Sequence, residues 1–342
     1  MIKTLSFLVL GAARSGTTVL AEAINAHPQA LCGMESFQAA DDHSAISFPT
    51  SFVERLALLY GYQRDVLGDL LTRKTGQTLL AIGNKQPEYD LRLAGILREN
   101  PSLRLLLIYR DPQHFMDSWN RRARNVQDPA WHGGRTGLFG VLSLIGYMRA
   151  LCRLPNDCLV VPYGGFSADI AGTMPRVFAH LGLAENGARR EELQNLQRQS
   201  DLLKGKARPV LPNESDFLDS IRYHELNALM DRPAAFTFSR VRANVQAYLR
   251  SLEADFAGKF ISALCDYDEV AAIEYLRQML KKAPVKEMFQ AEAKHSPVLR
   301  NRLKAISRHR KLQRIFLGAD EVQTSIDFLA EMKAQKREAL GA

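Results

Sequence analysis

Residues 5–18, LSFLVLGAARSGTT, are the stretch that most constrains the fold of this chain of 342 residues. The continuous apolar run Leu5–Leu10 is typical of a strand buried on both faces of a parallel sheet. A Gly-rich turn follows, and Thr17–Ala26 then has apolar residues at helical spacing until Pro28 stops the pattern. The stretch therefore predicts a strand, a tight turn and a helix. A short signal peptide is the alternative, and we favour the strand because the run leads directly into the turn.

Strand-like and helix-like segments continue to alternate through the first half of the chain. The further strand candidates are TLLAIG from Thr78, Leu103–Arg110 and Cys158–Tyr163. The further helix candidates are Phe52–Arg73, Tyr89–Arg98, a helix opening at Pro112, a core helix from Leu138, and residues 167–183. This alternation predicts an α/β fold with a P-loop-NTPase-like parallel sheet flanked by helices. Ligands of such sheets bind where carboxyl ends of strands meet helix N-termini.

The pattern changes after about Asp216, where helical segments follow one another without a convincing strand. The helix candidates are Ser215–Met230, Arg240–Cys265, Asp268–Lys282 and Gln323–Arg337. We therefore expect two domains, a nucleotide-binding α/β domain over residues 1–214 and a helical C-terminal extension over residues 215–342. The extension would have an acceptor-side or interaction role.

Charge and cysteine content narrow the class of protein. The 45 Lys and Arg residues outnumber the 37 Asp and Glu residues, and the net charge of +8 favours an anionic ligand such as a nucleotide, a nucleic acid or an acidic membrane. The cysteines form no C-x-x-C pair, which indicates reduced thiols in a cytoplasmic protein. The histidines show no metal-ligand spacing, so no metal site is expected.

The turn between the first strand and helix resembles a phosphate-binding loop. Gly11 and Gly16 have the spacing of G-x-x-x-x-G-K-[ST], but Thr17 stands in the place of the lysine. Backbone N–H groups and the helix dipole can bind a phosphate without that lysine, and Arg14 adds a positive charge. The loop fits a nucleotide with a short anionic 5′ end and no obligatory metal. An ordinary tight turn is the alternative.

A second candidate phosphate site follows the strand Leu103–Arg110. Ser118 lies eight residues after Arg110, and Arg122 lies one helical turn after Ser118 on the same face. Two guanidinium groups and a hydroxyl near a helix start would bind a phosphate. Together, the two sites suggest a nucleotide that is phosphorylated at two separate positions.

These segments resemble the sulfotransferases that use 3′-phosphoadenosine 5′-phosphosulfate. FLVLGAARSGTTVLAEAINAHP is similar to their 5′-phosphosulfate loop, and LLLIYRDPQHFMDSWNRR is similar to their 3′-phosphate site. VVPYGGFSADIAGTMPRVFAHLGL resembles a third segment of the family, with a strand, a tyrosine and a helix. The resemblance covers roughly residues 5–185. It implies this donor, the product 3′,5′-adenosine bisphosphate, and no metal.

The resemblance also implies which residues bind the donor. The 5′-phosphosulfate would be wrapped by Arg14, Ser15, Gly16, Thr17 and Thr18. The 3′-phosphate would be bound by Arg110 and Ser118, with Arg122 as a weaker addition.

Two further segments suggest catalytic residues. ALCGMESF is similar to a segment of tyrosylprotein sulfotransferases in which CG precedes two acidic residues and the second is the base. Glu35 matches that base, and Met34 replaces the first acidic residue. GNKQP resembles the K-x-P stretch that places a lysine beside the transferred sulfuryl group, and Lys85 is the match. The alternatives are a pairing of Glu35 with a structural Arg and a plain surface position for Lys85.

The implied reaction is an in-line sulfuryl transfer to a hydroxyl group. By analogy with phosphoryl transfer, Arg14, Lys85 and the loop N–H groups would stabilise the developing charge. Glu35 would accept the proton of the acceptor hydroxyl. We expect a carbohydrate, a glycolipid or a secondary metabolite as acceptor and no nucleic-acid partner. An atypical P-loop kinase and a non-enzymatic basic protein that binds nucleic acid or membranes remain the alternatives.

Two basic segments lie outside these motifs. Lys294–Gly318 carries eight Lys and Arg residues among apolar ones, which predicts a basic amphipathic helix. It would either help an acidic or lipid-linked acceptor to dock or simply pack its apolar face. The loop LLKGKARPV, with Lys204, Lys206 and Arg208, is a candidate to close on the nucleotide.

Overall fold

A computed structural model of the chain describes residues 3–38, 41–58, 62–87, 89, 92–123, 136–185, 187–203, 212–252, 255–265, 276, 279–280, 283–297, 299–300 and 303. The chain forms two compact units whose segments interleave along the sequence. The first comprises Met1–Phe115, Gly140–Pro209 and Tyr223–Leu249, and the second comprises Met116–Phe139, Val210–Arg222 and Arg250–Ala342. The boundary predicted after residue 214 concerns folding domains and stays a prediction.

Short strands of the first unit form its central layer. In chain order the strands of the described residues are β1 Lys3–Thr4, β2 Phe7–Leu10, β3 Ala30–Met34, β4 Ser47–Phe48, β5 Ala81–Lys85, β6 Arg104–Tyr109, β7 Cys158–Pro162 and β8 Phe236–Thr237. Six of them form one sheet in the order β3-β5-β2-β6-β7-β8, whereas β1 and β4 form a separate antiparallel pair. All neighbours in the large sheet are parallel except β7 and β8.

Helices connect the strands and continue to the C-terminal side. The α-helices of the described residues are α1 Thr17–Asn25, α2 Thr50–Leu58, α3 Tyr62–Lys74, α4 Leu93–Glu99, α5 Pro112–Ala123, α6 Gly137–Arg153, α7 Tyr163–Ala168, α8 Ile170–Leu181, α9 Arg190–Leu203, α10 Pro212–Ser220, α11 Tyr223–Met230, α12 Arg242–Leu252, α13 Phe256–Cys265 and α14 Ala283–Ala293. The α/β fold with a mostly parallel sheet flanked by helices is therefore confirmed.

The central strands are buried on both faces, as their continuous apolar runs predict. Every residue of β2, β5 and β7 is buried. One apolar cluster joins Val9 and Leu106 of the sheet to Leu20 and Ile24 of α1 and to Phe178 of α8. Because α1 is packed on the sheet in this way, its N-terminus is fixed beside the carboxyl end of β2.

Several predicted helices are interrupted. Phe52–Arg73 overlaps two described helices, α2 and α3, and residues 59–61 between them lie outside the described residues. Residues 167–183 are also split, because Asp169 caps the N-terminus of α8 by accepting a hydrogen bond from the Gly172 N–H at 2.8 Å. Ser215–Met230 is broken between α10 and α11, where Arg222 has a left-handed φ of 52°. Apolar periodicity reports neither the Asp169 cap nor the left-handed conformation of Arg222.

Other expectations for the chain have mixed outcomes. The sequence pattern missed β3, and the expectation of no strand after Asp216 is wrong because β8 pairs antiparallel with β7. Arg240–Cys265 contains two helices, α12 and α13. The predicted helix Gln323–Arg337 lies outside the described residues, and only residues 276, 279 and 280 of Asp268–Lys282 are described.

The stretch from Leu138 forms α6, and most of its apolar residues are buried. This outcome confirms the predicted core helix. Within the part of the chain that the structure describes, no helix combines the length and the apolar character needed to cross a membrane.

The second unit has an aromatic core of its own. Phe260 of α13 lies at its centre, with ring centroids 5.5 Å from Phe139, 5.9 Å from Phe217 and 6.0 Å from Phe289. Phe256 completes the group at 6.2 Å from Phe260. Edge-to-face and tilted contacts of this kind contribute beyond the area that they bury. The described helices of this unit are therefore held by specific ring packing.

Candidate functional site

Most of the predicted site residues lie at one edge of the sheet. Lys85, the last residue of β5, lies opposite Val9 of β2 and Met34 of β3 in the parallel ladders. Glu35 follows Met34 directly, and Arg110 follows the last residue of β6, the other neighbour of β2. The Gly-rich loop begins where β2 ends. The structure therefore brings the loop, Glu35, Lys85 and Arg110 to the carboxyl ends of four adjacent parallel strands, where α/β sheets bind ligands.

The Gly-rich loop has an unusual backbone conformation. Gly11, Arg14 and Gly16 have φ values of 153°, 69° and 102°. A left-handed conformation is uncommon for a residue with a side chain, and at Arg14 it costs about 1–2 kcal/mol. The Ser15 N–H donates to the Ala12 carbonyl at 3.1 Å, which closes the turn. The Arg14 side chain is exposed, whereas Ser15 is buried.

The loop is also tightly packed around a buried hydroxyl group. A Cβ atom on Gly16 would lie 2.6 Å from the ring of Tyr163, and one on Gly11 would lie 2.7 Å from Ser15 Oγ. Ser15 Oγ is buried and has no hydrogen-bond partner among the described residues. Gly16 occupies the N-cap of α1 and provides no side chain to cap the helix. A hydroxyl and helix N-terminal N–H groups in this arrangement can bind an anion.

Arg110 is directed toward the loop. Its Nη1 donates to the Arg14 carbonyl at 3.0 Å, and its guanidinium carbon lies 4.6 Å from the ring centroid of Tyr163. Tyr163 is the first residue of α7, directly after β7, and it also contacts Gly16. Tyr163 thus links the two predicted phosphate-binding segments. The sequence placed this tyrosine after a strand but gave no indication of the stacking.

Ser118 and Arg122 lie one turn apart on α5, as the spacing predicted, and both are half-buried. They belong to the second unit, whereas Arg110 belongs to the first. A shared phosphate site for the three residues stays a prediction.

Glu35 and Lys85 form an ion pair. Lys85 Nζ lies 2.5 Å from Glu35 Oε1, and the Glu35 N–H donates to the Lys85 carbonyl at 2.7 Å. The Lys85 side chain is only 5% exposed, so the alternative of a surface lysine does not apply, and the Glu35 side chain is 37% exposed. Glu35 has a left-handed φ of 59°. Strained residues with side chains cluster at functional sites, so this turn deserves a functional hypothesis.

The charge of Lys85 affects the pKa values of two other titratable groups. Burial raises the pKa of the Glu22 carboxyl on α1, while the positive charges of Lys85 and Arg73 act in the opposite direction. Burial also raises the pKa of the Cys32 thiol, and the charge of Lys85 opposes this only in part. Cys32 therefore stays protonated and is a poor nucleophile. Glu22 was not identified from the sequence, because helical spacing does not show which residues approach a neighbouring strand end.

The residues after Glu35 are held by two side chains that the sequence did not single out. Asn84 Oδ1 accepts from the Ser36 N–H at 3.3 Å, and Asn84 Nδ2 donates to the Phe37 carbonyl at 3.0 Å. Arg55 Nε of α2 donates to the Ser36 carbonyl at 2.6 Å. The one sequence signal was the position of a polar Asn84 inside a buried strand, next to Lys85.

Among the described residues, no group of three or more His, Cys, Asp or Glu side chains is arranged to bind a metal ion. The predicted loop residues Lys204, Lys206 and Arg208 lie outside the described residues, as does most of Lys294–Gly318.

Comparison with solved structures finds sulfotransferases at low sequence identity. A sulfotransferase from Alicyclobacillus acidocaldarius has 17% identity and a TM-score of 0.43, and the match covers 67% of this chain and 97% of that chain. The sulfotransferase domain of the Synechococcus olefin synthase has 15% identity and a TM-score of 0.37, covering 77% and 94%. A sulfotransferase from Mycobacterium avium has 14% identity and a TM-score of 0.37, covering 64% and 76%.

No curated protein sequence matches the chain significantly. The sequence model of the sulfotransferase family, in contrast, matches residues 6–186, which is more than half of the chain. The matched segment includes the Gly-rich loop, Glu35, Lys85 and Arg110. On this match, the chain belongs to the sulfotransferase family.

Proposed function

We propose that the chain transfers a sulfuryl group from 3′-phosphoadenosine 5′-phosphosulfate to a hydroxyl group, with Glu35 as the general base. The observation that carries this proposal is the ion pair of Glu35 and Lys85 at the same sheet edge as the Gly-rich loop. Family membership provides the reaction class, and the arrangement of these side chains supports the individual roles.

The loop fits the anionic 5′ end of such a donor. The buried Ser15 Oγ and the N-terminus of α1 offer hydrogen-bond donors, and Arg14 offers a positive charge. The proposed ligands of the 5′-phosphosulfate are Arg14, Ser15, Gly16, Thr17 and Thr18. The proposed ligands of the 3′-phosphate are Arg110, Ser118 and Arg122. The contact of Arg110 with the Arg14 carbonyl supports a site that binds both ends of one nucleotide.

When it is bound, the donor supplies the activated sulfuryl group. The carboxylate of Glu35 accepts the proton of the acceptor hydroxyl, a role that contributes about 100-fold or more to the rate. Its 37% exposure leaves it accessible to an acceptor. Lys85 and Arg14 stabilise negative charge that develops on the departing nucleotide. Lys85 also holds the carboxylate of Glu35 through their hydrogen bond.

The proposed acceptor is a hydroxyl group of a carbohydrate, a glycolipid or a secondary metabolite in the cytoplasm. The net charge of +8 is compatible with the anionic donor, and we propose no nucleic-acid partner. Residues 294–318 would give peripheral contact with an acidic or lipid-linked acceptor.

Calorimetric titration tests the donor. We expect micromolar binding of 3′,5′-adenosine bisphosphate without a metal, and weak binding of ATP with magnesium. Tight magnesium-dependent binding of ATP with no binding of the bisphosphate would contradict the proposal and indicate a kinase. If neither nucleotide bound, the loop would be a structural turn and the assigned donor would be wrong.

A further inference from the structure

A buried hydrogen-bond network of three polar side chains extends from the interior to the turn that carries Glu35. His43, Tyr89 and Asn84 are each 0% exposed. His43 Nε2 lies 3.2 Å from Tyr89 Oη, and Asn84 Nδ2 lies 2.5 Å from the same oxygen. His43 Nδ1 lies 2.8 Å from the Asp41 carbonyl. Buried polar groups cost free energy unless each of them has its hydrogen-bond partners, so the burial of this network requires a physical explanation.

The direction of each hydrogen bond follows from its backbone partners. Asn84 Oδ1 faces the Ser36 N–H, which can only donate, and Nδ2 faces the Phe37 carbonyl, which can only accept, so the amide has one orientation. The second proton on Nδ2 is donated to Tyr89 Oη. The Tyr89 hydroxyl still carries its own proton, and His43 Nε2 at 3.2 Å is the described group that can accept it, so Tyr89 donates to His43.

This direction requires a neutral His43. Its proton must lie on Nδ1, which donates to the Asp41 carbonyl. Burial lowers the pKa of His43, and the charge of Arg92 acts in the same direction, while the Asp41 carbonyl, the Asp41 carboxylate and Glu99 oppose it. With a neutral imidazole, each hydrogen bond of the network has one donor and one acceptor.

The network binds the backbone of the two residues that follow Glu35. A left-handed residue reverses the direction of the backbone, so the path after Glu35 must be held on both sides to keep this conformation. The Glu35 N–H is bound to the Lys85 carbonyl before the turn. Asn84 binds the Ser36 N–H and the Phe37 carbonyl after it. The direction of the Glu35 side chain is therefore set by two neighbouring residues of β5.

The Asn84 amide occupies space next to Gly33 that a side chain would otherwise fill. A Cβ atom on Gly33 would lie 2.8 Å from Asn84 Oδ1 and 2.8 Å from Ser36 Oγ. Gly33 lies opposite Asn84 in the ladder between β3 and β5. The absence of a side chain at this position leaves room for the amide and for the turn.

We infer that Asn84, oriented by Tyr89 and His43, is a positioning residue that holds the carboxylate of Glu35 toward the acceptor. The role in turnover rests on the proposed function of Glu35 as the base. The holding of the turn does not depend on that function, and the two parts are tested separately.

Hydrogen exchange tests the holding of the turn. In Asn84→Ala, the amide of Ser36 should exchange at least about tenfold faster than in the wild type, because its acceptor is removed. Asn25→Ala is the matched control. Asn25 is also a buried asparagine that binds the backbone of β3, with Cys32 N–H donating to Oδ1 at 2.7 Å and Nδ2 donating to the Cys32 carbonyl at 2.9 Å. Unchanged Ser36 exchange in Asn84→Ala, or equal acceleration in both variants, would overturn the inference.

Kinetics test the functional part. Release of 3′,5′-adenosine bisphosphate from the donor is measured with water or glucose as the acceptor, whose hydroxyl groups keep their protons at neutral pH, per nucleotide-binding site titrated in each variant. Asn84→Ala should lower kcat roughly 100-fold, the cost of a misplaced group of about 1 Å. In the Glu35→Gln background, the same change should lower kcat by no more than about twofold, because Asn84 acts through the Glu35 carboxylate.

A purely structural role predicts different results. Asn84→Ala would then lower kcat by the same factor in both backgrounds, and this outcome would refute the positioning role. If Asn84→Ala does not fold, Tyr89→Phe replaces it, since it keeps Asn84 and removes only the hydroxyl that orients the amide; the same non-additivity with Glu35→Gln is expected. A wild type without turnover would instead contradict the proposed function, while Ser36 exchange would still decide whether Asn84 holds the turn.

Discussion

Replacement of Arg110 gives the sharpest test of the nucleotide site, because a matched residue lies at the other end of the same strand. Arg110 follows the carboxyl end of β6, and Arg104 begins β6 at the opposite edge of the sheet. Arg110→Ala and Arg104→Ala remove the same formal charge. They therefore have equal effects on any non-specific attraction between a basic protein and an anion. Only Arg110 contacts the Gly-rich loop through the Arg14 carbonyl and stacks on Tyr163.

The expected magnitude follows from the contacts that are lost. Removal of the guanidinium removes a charge-assisted contact to the proposed 3′-phosphate and the 3.0 Å hydrogen bond that supports the loop. A hydrogen bond to a charged group contributes about 1.5–3 kcal/mol, so we expect a loss of about 3 kcal/mol in binding free energy. This corresponds to a roughly 150-fold higher Kd.

Calorimetric titration of 3′,5′-adenosine bisphosphate measures the effect. Arg104→Ala should bind the nucleotide within about twofold of the wild type, because its site lies at the other edge of the sheet. Equal weakening in both variants would show that the protein attracts the nucleotide only by its net charge. An unchanged Kd in Arg110→Ala would refute the proposed 3′-phosphate site.

Three further predictions concern local features. Gly16→Ala should weaken binding of the bisphosphate more than about tenfold in calorimetry. The new Cβ would lie 2.6 Å from the Tyr163 ring, and the φ of 102° at Gly16 disfavours any residue with a side chain. Gly95→Ala is the control and should bind the bisphosphate as the wild type does, because a Cβ on Gly95 has nothing within 4 Å. Burial lowers the pKa of Lys74 from 10.5 to about 8, so between these values the unfolded chain binds more protons than the folded protein. In urea titrations the free energy of unfolding should therefore rise with pH in this window by roughly 3 kcal/mol in the wild type. A Lys74→Met variant that showed the same rise would exclude this cause. Glu292→Ala should lower the free energy of unfolding by about 1–2 kcal/mol and therefore lower Tm. The reason is that the Glu292 carboxylate accepts hydrogen bonds from two N–H groups in the first turn of α13, at 2.6 and 3.0 Å. An unchanged Tm would contradict this capping role.

Features with a strong local signal could be predicted from the sequence. The apolar runs identified β2, β6 and β7, because strands that are covered on both faces must be apolar throughout. β3 was missed because Ala30–Met34 is short and contains an alanine and a glycine, which have weak strand preference. Its place at the sheet edge is determined by pairing with β5, which is a tertiary contact.

The candidate site shows the same distinction. The motif spacing located Arg14 and Arg110, and the resemblance to the sulfotransferases located Glu35 and Lys85. The parallel topology explains why these residues meet at one edge. The supporting role of Asn84 could not be predicted, because it depends on hydrogen bonds to a turn that lies 48 residues away in the sequence. Motifs identify residues that contact ligands, whereas the groups that orient them are found only when the chain is folded.

Transfer of labelled sulfate tests the central claim most directly. The wild type and Glu35→Gln are incubated with 3′-phosphoadenosine 5′-phosphosulfate carrying a radioactive sulfuryl group and with pools of carbohydrates, glycolipids and phenolic metabolites. The account predicts labelled product in at least one pool with the wild type, and about 100-fold less with Glu35→Gln, whose amide cannot accept the proton. Equal labelling by both proteins, or no labelled product although the bisphosphate binds, would contradict it.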